Sequence, residues 1–276
     1  MNQINQTIQY IIENRCLSKG KPVTRSPFAQ KAIAGIAPNL RNYDYDIRGI
    51  ENLPDGGAII MCNHSNSHDF FTAIETFTKL GLPVSVFAAS DDLNKLTNGI
   101  FTFANATLID RNNKISAKNG LLELANKVKC GYYAVIFGEA TWNLHPTKQM
   151  QNLKPGGALC SLITGKPIVP TIFEYIETPQ PCSKESELIT KCVITFGKPF
   201  TINDEEKILT QPTDIQKNLL PNIQAEIFTQ TSNIQAEMVQ MRQELWREFN
   251  IIKSLDDKDY ILRYINHTWF KKYYYN

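Results

Sequence analysis

His64 and Asp69 form a pair that offers proton-transfer chemistry. His64 follows the apolar run Gly56–Cys62, and Asp69 precedes a segment that predicts a helix over 70–79. Residues five apart on one helix point about 140° away from each other, so the two meet only if His64 lies in a loop and Asp69 in the first helical turn. Asp69 would then bind one ring nitrogen and leave the other free to take a proton. Such a base can deprotonate an alcohol and contributes about 10²–10⁴ in rate.

The same pair has two other interpretations. Asp69 could be an acid that the dipole favours at a helix N-terminus, with His64 an ordinary loop histidine. Alternatively, His64, His68 and Asp69 could bind a metal ion, but His145 and His267 stand in no motif that would complete the site. The chain contains no G-x-S-x-G segment to supply a nucleophilic serine. This absence favours a substrate that brings its own hydroxyl.

Two further polar groups follow apolar segments. Arg111 could clamp a phosphate with two parallel hydrogen bonds, or it could pair with Asp110 or a surface acid. Glu139 comes just after the apolar run Tyr132–Phe137, where it could hold a loop through backbone N–H groups or orient a substrate hydroxyl. Gly138, between that run and Glu139, allows the backbone to approach a ligand closely.

Short apolar segments alternate with helical ones and predict the frame that positions these groups. The predicted strands are 56–62, 83–89, 107–109, 132–137, 167–175 and 191–196. The predicted helices are 70–79, a segment from Ile115 to Val128, and 155–164. Strands that are apolar throughout are typical of a mostly parallel sheet covered on both faces. In such sheets ligands bind at the carboxyl ends of the strands, where the polar groups lie.

We therefore predict a single α/β domain, with a mostly parallel sheet flanked by helices, a basic N-terminal arm and a helical C-terminal tail. A length of 276 residues suits this organisation. The predicted parts are an arm over 1–44, the α/β domain over 45–202 and a helical extension over 203–276. Within the extension, 213–249 predicts one or two helices and 256–276 a last short helix.

Charge and composition limit the partners. The net charge is +2, too balanced to favour nucleic acid as a partner. Residues 1–41 are the basic part, and together with the weakly amphipathic segment Phe28–Leu40 they indicate contact with anionic lipid, a solvated lead-in or a helix packed on the domain. No run approaches the roughly 18–20 apolar residues that span a bilayer. Six scattered cysteines indicate reduced thiols in a cytosolic compartment.

Four blocks of the sequence resemble the 1-acylglycerol-3-phosphate acyltransferase family, the PlsC-type glycerolipid acyltransferases, in the same order and spacing. The blocks are Asn63-His64 to Asp69, Phe103–Arg111, Phe137–Trp142 and Pro167–Thr171. They are similar to the family's NH-x4-D, its apolar stretch ending in Arg, its F-P-E-G-T-R and its P-I-V-P-V. The lead-in Ile47–Pro54 also resembles the family's approach to the first strand.

The resemblance implies an O-acyltransferase of phospholipid biosynthesis. It would move a fatty acyl group from an acyl-CoA or acyl-carrier-protein thioester to the free hydroxyl of a lyso-glycerolipid, 1-acylglycerol-3-phosphate. It implies catalysis by His64 and Asp69 without a metal or other cofactor. The residues implied in substrate binding are Asn63, Arg111, Gly138, Glu139 and Thr141. A membrane surface would be a partner, with the protein cytoplasmic and peripheral on the inner face of the membrane.

The third block departs from the family pattern. Gly138 and Ala140 stand where the family has Pro and Gly, which reshapes a turn. Trp142 stands where the family has an Arg associated with the acceptor's phosphate, so phosphate recognition depends more on Arg111. Nearby basic residues that could assist are Lys114, Lys148 and Lys154.

These departures leave other functions open. The acceptor could be a different lipid, without phosphate or with an amino head group. The chain could also be a catalytically inactive lipid-binding homologue, although the intact His64, Asp69, Arg111 and Glu139 argue against it. A metal-dependent hydrolase, which a chelator would inhibit, is a third and less supported class.

Overall fold

The computed structural model describes most of the predicted α/β domain and part of the tail. The residues described are 31, 32, 35, 43–65, 68–90, 95–143, 148–178, 189–202 and 213–251. Most of the predicted arm over 1–44 and the predicted helix over 256–276 lie outside these residues. The domain boundaries therefore stay a prediction.

A seven-stranded sheet forms the frame. Its strands are β1 (Tyr43–Arg48), β2 (Ile59–Cys62), β3 (Val84–Ala89), β4 (Thr107–Ile109), β5 (Tyr133–Phe137), β6 (Ile168–Thr178) and β7 (Ile189–Phe196). Their order across the sheet is β1-β7-β6-β2-β5-β3-β4. β6 and β7 pair antiparallel, and every other described pair is parallel. The predicted fold class, a mostly parallel α/β sheet, is confirmed.

Among the described residues, five α-helices of at least nine residues flank this sheet. They are α1 (Asp69–Lys79), α2 (Lys95–Phe103), α3 (Lys114–Lys129), α4 (Gly156–Thr164) and α5 (Thr213–Glu248), with a short 3₁₀ helix at Ile50–Asn52. The Asn113 side chain caps α3 by accepting hydrogen bonds from the N–H groups of Ile115 and Ser116. The segment predicted as one or two helices is the single helix α5, although it contains Pro221.

The core lies on both faces of the sheet. β2 is buried along its whole length, with Ile59 and Met61 facing the helices α3, α4 and α5, and Ile60 and Cys62 facing α1. A strand packed on both sides and paired on both edges has little freedom to move. The carboxyl end of β2 is therefore a rigid base for the residues that follow it.

The apolar face of α5 packs into the same core as α3 and α4. The helical tail thus completes one face of the domain. Within the described ranges, no helix combines the length and the apolar character needed to cross a membrane.

Candidate active site

The first and third sequence blocks lie at one edge of the sheet because of strand order. β2 and β5 are parallel neighbours, and Cys62 pairs in register with Phe137. The segments after these residues therefore leave the sheet side by side. Arg111 follows β4, which is three strand spacings from β2, or about 14 Å at the usual separation.

The ring of His64 is bonded to Asp69. His64 Nδ1 lies 2.8 Å from Asp69 Oδ2, and the Asp69 carboxylate is fully buried at the first residue of α1. The same Oδ2 accepts a hydrogen bond of 2.9 Å from the backbone N–H of Ser65. The side chain of His64 remains 20% exposed. The loop-and-helix arrangement expected from the spacing is present, and Nε2 is the nitrogen left for proton transfer.

Two aromatic rings border His64. Phe137 stacks on the imidazole with ring centroids 4.5 Å apart and an interplanar angle of 19°. Trp142 meets it edge-on at 5.9 Å and 75°. The residue that replaces the family's Arg therefore lies beside the catalytic candidate.

Glu139 holds the backbone of His64. Its buried carboxylate accepts hydrogen bonds from the N–H of His64 at 2.8 Å and from the N–H of Gln151 at 2.5 Å. Burial raises the pKa of Glu139 to about 7, although these two N–H groups and Arg242 pull it down. Both oxygens serve the loop, as one of the two interpretations of this residue expected. Contact between Glu139 and an acceptor stays a prediction.

Asn63 and Thr141 occupy different surroundings. The buried amide of Asn63 accepts from the N–H of Phe173 at 2.8 Å and donates to its carbonyl at 3.0 Å. This pair of bonds ties the end of β2 to β6. The hydroxyl oxygen of Thr141 is buried and has no hydrogen-bond partner among the described residues. Of the two, Thr141 has hydrogen-bonding capacity left for a substrate.

The turn after β5 explains the departures at Gly138 and Ala140. A Cβ on Gly138 would lie 2.6 Å from Met61 Sδ and 2.7 Å from Leu153 Cδ2, so a larger residue would displace both side chains. Ala140 has a φ of 56°, a left-handed conformation that glycine adopts without strain. The chain thus keeps the turn that a glycine would favour, with an alanine in its place.

Basic groups lie further along the sheet edge. Arg111 is partly exposed in the turn between β4 and α3, and Lys114 is exposed at the first residue of α3. Lys148 and Lys154 are exposed in the loop between β5 and α4. Their role in phosphate binding stays a prediction, as does that of Arg111.

Sequence reasoning missed a second set of residues that hold the site. Arg242 on α5 donates from Nε to Glu174 Oε2 at 2.6 Å and also donates to the carbonyl of Gln149. Gln235 on α5 accepts from the N–H of Leu153 at 2.9 Å. α5 thereby holds the loop that Glu139 also binds. One signal was visible, because the acidic Glu174 inside an apolar strand needs a buried partner.

Among the described residues, no three side chains of His, Cys, Asp and Glu are grouped so that they could hold a metal ion. His68, the third ligand in the metal interpretation, stands at the N-cap of α1, and its side chain does not cap the helix.

The model of a known protein family, described as Acyltransferase, matches residues 44–174. Residues 44–174 therefore form a domain of the acyltransferase family. The match spans all four blocks and confirms the prediction of an acyltransferase enzyme.

Other comparisons are more distant. The structure is similar to the crystal structure of the 1-acyl-sn-glycerophosphate (LPA) acyltransferase, PlsC, from Thermotoga maritima, with 16% sequence identity and a TM-score of 0.46. That likeness covers 80% of this chain and 95% of the other, and it is too remote to say more about this acyltransferase. None of the curated proteins matches the chain.

Proposed function

We propose that this acyltransferase moves a fatty acyl group from the thioester of acyl-CoA or acyl-carrier protein to the free hydroxyl of a lyso-glycerolipid in phospholipid biosynthesis. The observation that carries the proposal is the 2.8 Å contact between His64 Nδ1 and the buried Asp69. It leaves Nε2 of a partly exposed histidine as a base, without a serine elbow in the chain.

The reaction follows from this geometry. Nε2 of His64 takes the proton of the acceptor hydroxyl, and the Nδ1–H bond to Asp69 stabilises the imidazolium that forms. The acceptor oxygen attacks the thioester carbonyl and forms a tetrahedral intermediate. The carbon–sulfur bond then breaks, and His64 returns the proton to the leaving sulfur. The products are an acylated lipid and a free thiol.

We assign the phosphate of 1-acylglycerol-3-phosphate to Arg111. At about 14 Å from β2 along the sheet edge, a long Arg side chain can reach towards a lipid head group whose hydroxyl lies at His64. Arg111 and Lys114 give this end of the edge positive charge. The bidentate fork of an Arg fits a phosphate better than a Lys does.

A second candidate acceptor has its own observation. The Trp142 ring, edge-on to His64 at 5.9 Å, stands where a phosphate-binding Arg is found in the family. A flat aromatic surface there would suit an uncharged head group or, by cation–π attraction, an amino-lipid.

We also propose that the protein works while peripheral on the inner face of the membrane, because its acceptor is a membrane lipid. α2 supports this proposal: Leu96, Ile100 and Phe103 are spaced to share one helical face and are exposed, with Leu96 75% accessible. Ile115, at the start of α3, is 62% exposed. Four apolar side chains in water are costly, and insertion between lipid head groups removes that cost.

Thiol release from the donor tests the reaction. Purified protein is given acyl-CoA or acyl-carrier protein with a panel of lyso-lipids that includes 1-acylglycerol-3-phosphate, an uncharged monoacylglycerol and an amino-lipid. We expect thiol release that requires an acceptor and is unchanged by a chelator. Release without any acceptor would indicate a thioesterase, and loss with the chelator would indicate a metal-dependent hydrolase.

Vesicle flotation tests the membrane proposal. Anionic vesicles should carry the intact protein, and replacement of Leu96 and Phe103 by Ser should reduce this binding. Binding through the basic arm should be lost on removal of residues 1–41, or in salt at about 1 M where the screening length is only about 3 Å. Binding through the apolar face should survive both changes. If all these proteins float equally, neither feature is the anchor.

A further inference from the structure

Asp69 uses its two carboxylate oxygens for different partners. Oδ2 is hydrogen-bonded to Nδ1 of the His64 ring and accepts a hydrogen bond from the Ser65 N–H. Oδ1 accepts a hydrogen bond of 2.6 Å from the hydroxyl of Tyr175. Tyr175 lies on β6, one residue beyond the segment that the family model matches.

We propose that Tyr175 is a positioning residue for acyl transfer, whose hydroxyl fixes the carboxylate of Asp69 so that Oδ2 stays in line with Nδ1 of His64. This inference rests on the proposed function. It adds to His64 and Asp69 a residue that lies far outside the sequence block in which those two stand.

The direction of the hydrogen bond is set by the surroundings of Tyr175. Burial of the hydroxyl raises the pKa of Tyr175 well above its usual value, and the Asp69 charge raises it further. The phenol therefore keeps its proton at any working pH and can only donate to the carboxylate. Its oxygen also lies 3.0 Å from the Thr72 hydroxyl, which keeps the phenol in place against α1.

Rotation of Asp69 is what this bond prevents. The contacts with His64 and Ser65 both fall on Oδ2. With the Tyr175 hydroxyl bonded to Oδ1, rotation of the carboxylate would break a short bond to a buried donor as well as the bond to the ring. The bond from Tyr175 therefore favours the orientation of the carboxylate that aligns His64. A short bond to the charged oxygen is also stronger than one between neutral groups.

The chain offers a matched control in Tyr45. This residue on β1 donates to Glu75 Oε2 at 2.7 Å, and Glu75 also pairs with Lys79 at 3.2 Å. Both tyrosines are thus phenols bonded to a largely buried carboxylate on α1. Of these two tyrosines, only Tyr175 contacts the pair formed by His64 and Asp69.

The test compares Tyr175→Phe with Tyr45→Phe in the full chain. We expect Tyr175→Phe to lower kcat about 10- to 100-fold, the range for groups that orient an active residue, with the acceptor KM unchanged. The acid limb of its rate profile should move to higher pH, because a carboxylate without the phenol donor holds a protonated ring more strongly. Glu139, the other titratable carboxyl beside His64, is the same in both variants. Tyr45→Phe should keep the kcat and the profile of the wild type.

A second readout does not depend on substrate. We expect the Nδ1 proton of His64, in its bond to Asp69, to give a low-field NMR resonance that is identified by its loss in Asp69→Asn. We expect Tyr175→Phe to shift this resonance and Tyr45→Phe to leave it in place. Equal effects of the two variants on kcat, or a resonance and kcat that Tyr175→Phe leaves unchanged, would overturn the inference. If the wild type transfers acyl groups to no acceptor, the proposed function fails, while the resonance still decides the role of Tyr175.

Discussion

Two buried carboxylates hold His64, Asp69 at the ring and Glu139 at the backbone. Asp69 receives its hydrogen bonds from the ring, the Ser65 N–H and the Tyr175 hydroxyl. Glu139 receives them from the backbone N–H groups of His64 and Gln151. The same side-chain chemistry, at almost the same depth, therefore binds the ring that we propose for proton transfer in one case and holds the path of a loop in the other.

The origin of this difference lies in the elements. Asp69 begins α1, the helix that follows β2 directly, so its carboxylate returns to the ring across one short loop. Glu139 lies two residues past the end of β5, the neighbouring strand, and its carboxylate reaches across to the backbone of the loop after β2. Position relative to the strand ends, more than residue type, decides which atom of His64 each carboxylate meets.

The largest expected effect comes from Asp69→Asn. An amide NH₂ facing Nδ1 would force that nitrogen to accept, and Nε2 would then carry the proton and lose its role as base. We expect kcat, measured by thiol release, to fall about 10³–10⁴-fold while circular dichroism still shows a folded protein, with a lower thermal unfolding midpoint because the amide NH₂ also faces the Ser65 N–H. A loss below tenfold would make Asp69 a helix-terminal acid only.

The matching change on the other side is Glu139→Gln, whose main effect is on the pH dependence of stability. A pKa of about 7, raised by burial, means that the folded state binds the proton more tightly than the unfolded state. This contribution is fully present below the ordinary pKa of a Glu and is lost as the pH rises through about 7. The wild type should therefore lose about 3 kcal/mol of unfolding free energy relative to Glu139→Gln between about pH 4 and pH 8.

Urea unfolding of both proteins across that range measures this change. Other titrating groups are shared by the pair and cancel in the difference. A difference in unfolding free energy that stays constant with pH would show that Glu139 is ionised throughout this range. Burial would then not distinguish Glu139 from Asp69.

Arg111→Lys tests the part of the site that lies away from both carboxylates. Lys keeps the charge but loses the planar fork, so we expect the acceptor KM for a phosphate lipid to rise about tenfold, with the donor KM unchanged. Trp142→Arg should keep or improve use of that acceptor. An unchanged KM in Arg111→Lys, together with inactivity of Trp142→Arg, would show that the head group is not a phosphate.

The smallest effect is expected at the turn beside Glu139. Ala140→Gly removes the strain of an alanine held in a left-handed backbone conformation. The change should raise the unfolding free energy by up to about 1 kcal/mol. Ala117→Gly, in the helix α3, is the control and should lower it by about the same amount. Destabilisation by both changes would mean that the turn holds Ala140 without strain.

The sequence predicts some of these features well and others not at all. β2 and β5 are continuous apolar runs, and the spacing of His64 and Asp69 leaves one arrangement in which they meet, so both could be predicted. β1 (Tyr43–Arg48) was not predicted, because its alternation of apolar and polar residues at the sheet edge differs from the continuous apolar runs that predicted the buried strands. α2 was missed because Lys95–Phe103 carries apolar residues on its exposed face as well.

The contacts of Tyr175 and Arg242 form a second class of missed features. Tyr175 meets Asp69 across 106 residues of sequence, and Arg242 meets Glu174 across 68. Such bonds depend on the strand order and on where α5 packs. A single sequence shows only that a buried acid must find a partner, without showing which one.

The most direct test of the account is thiol release by His64→Ala beside His68→Ala. His64 is the proposed base, whereas His68 stands four residues away at the N-cap of α1. We expect His64→Ala to abolish acceptor-dependent release while its circular dichroism matches the wild type, and His68→Ala to retain most of the rate. Activity of purified His64→Ala within tenfold of the wild type would contradict the role of His64 as the base. Equal loss from both changes would instead favour a metal site.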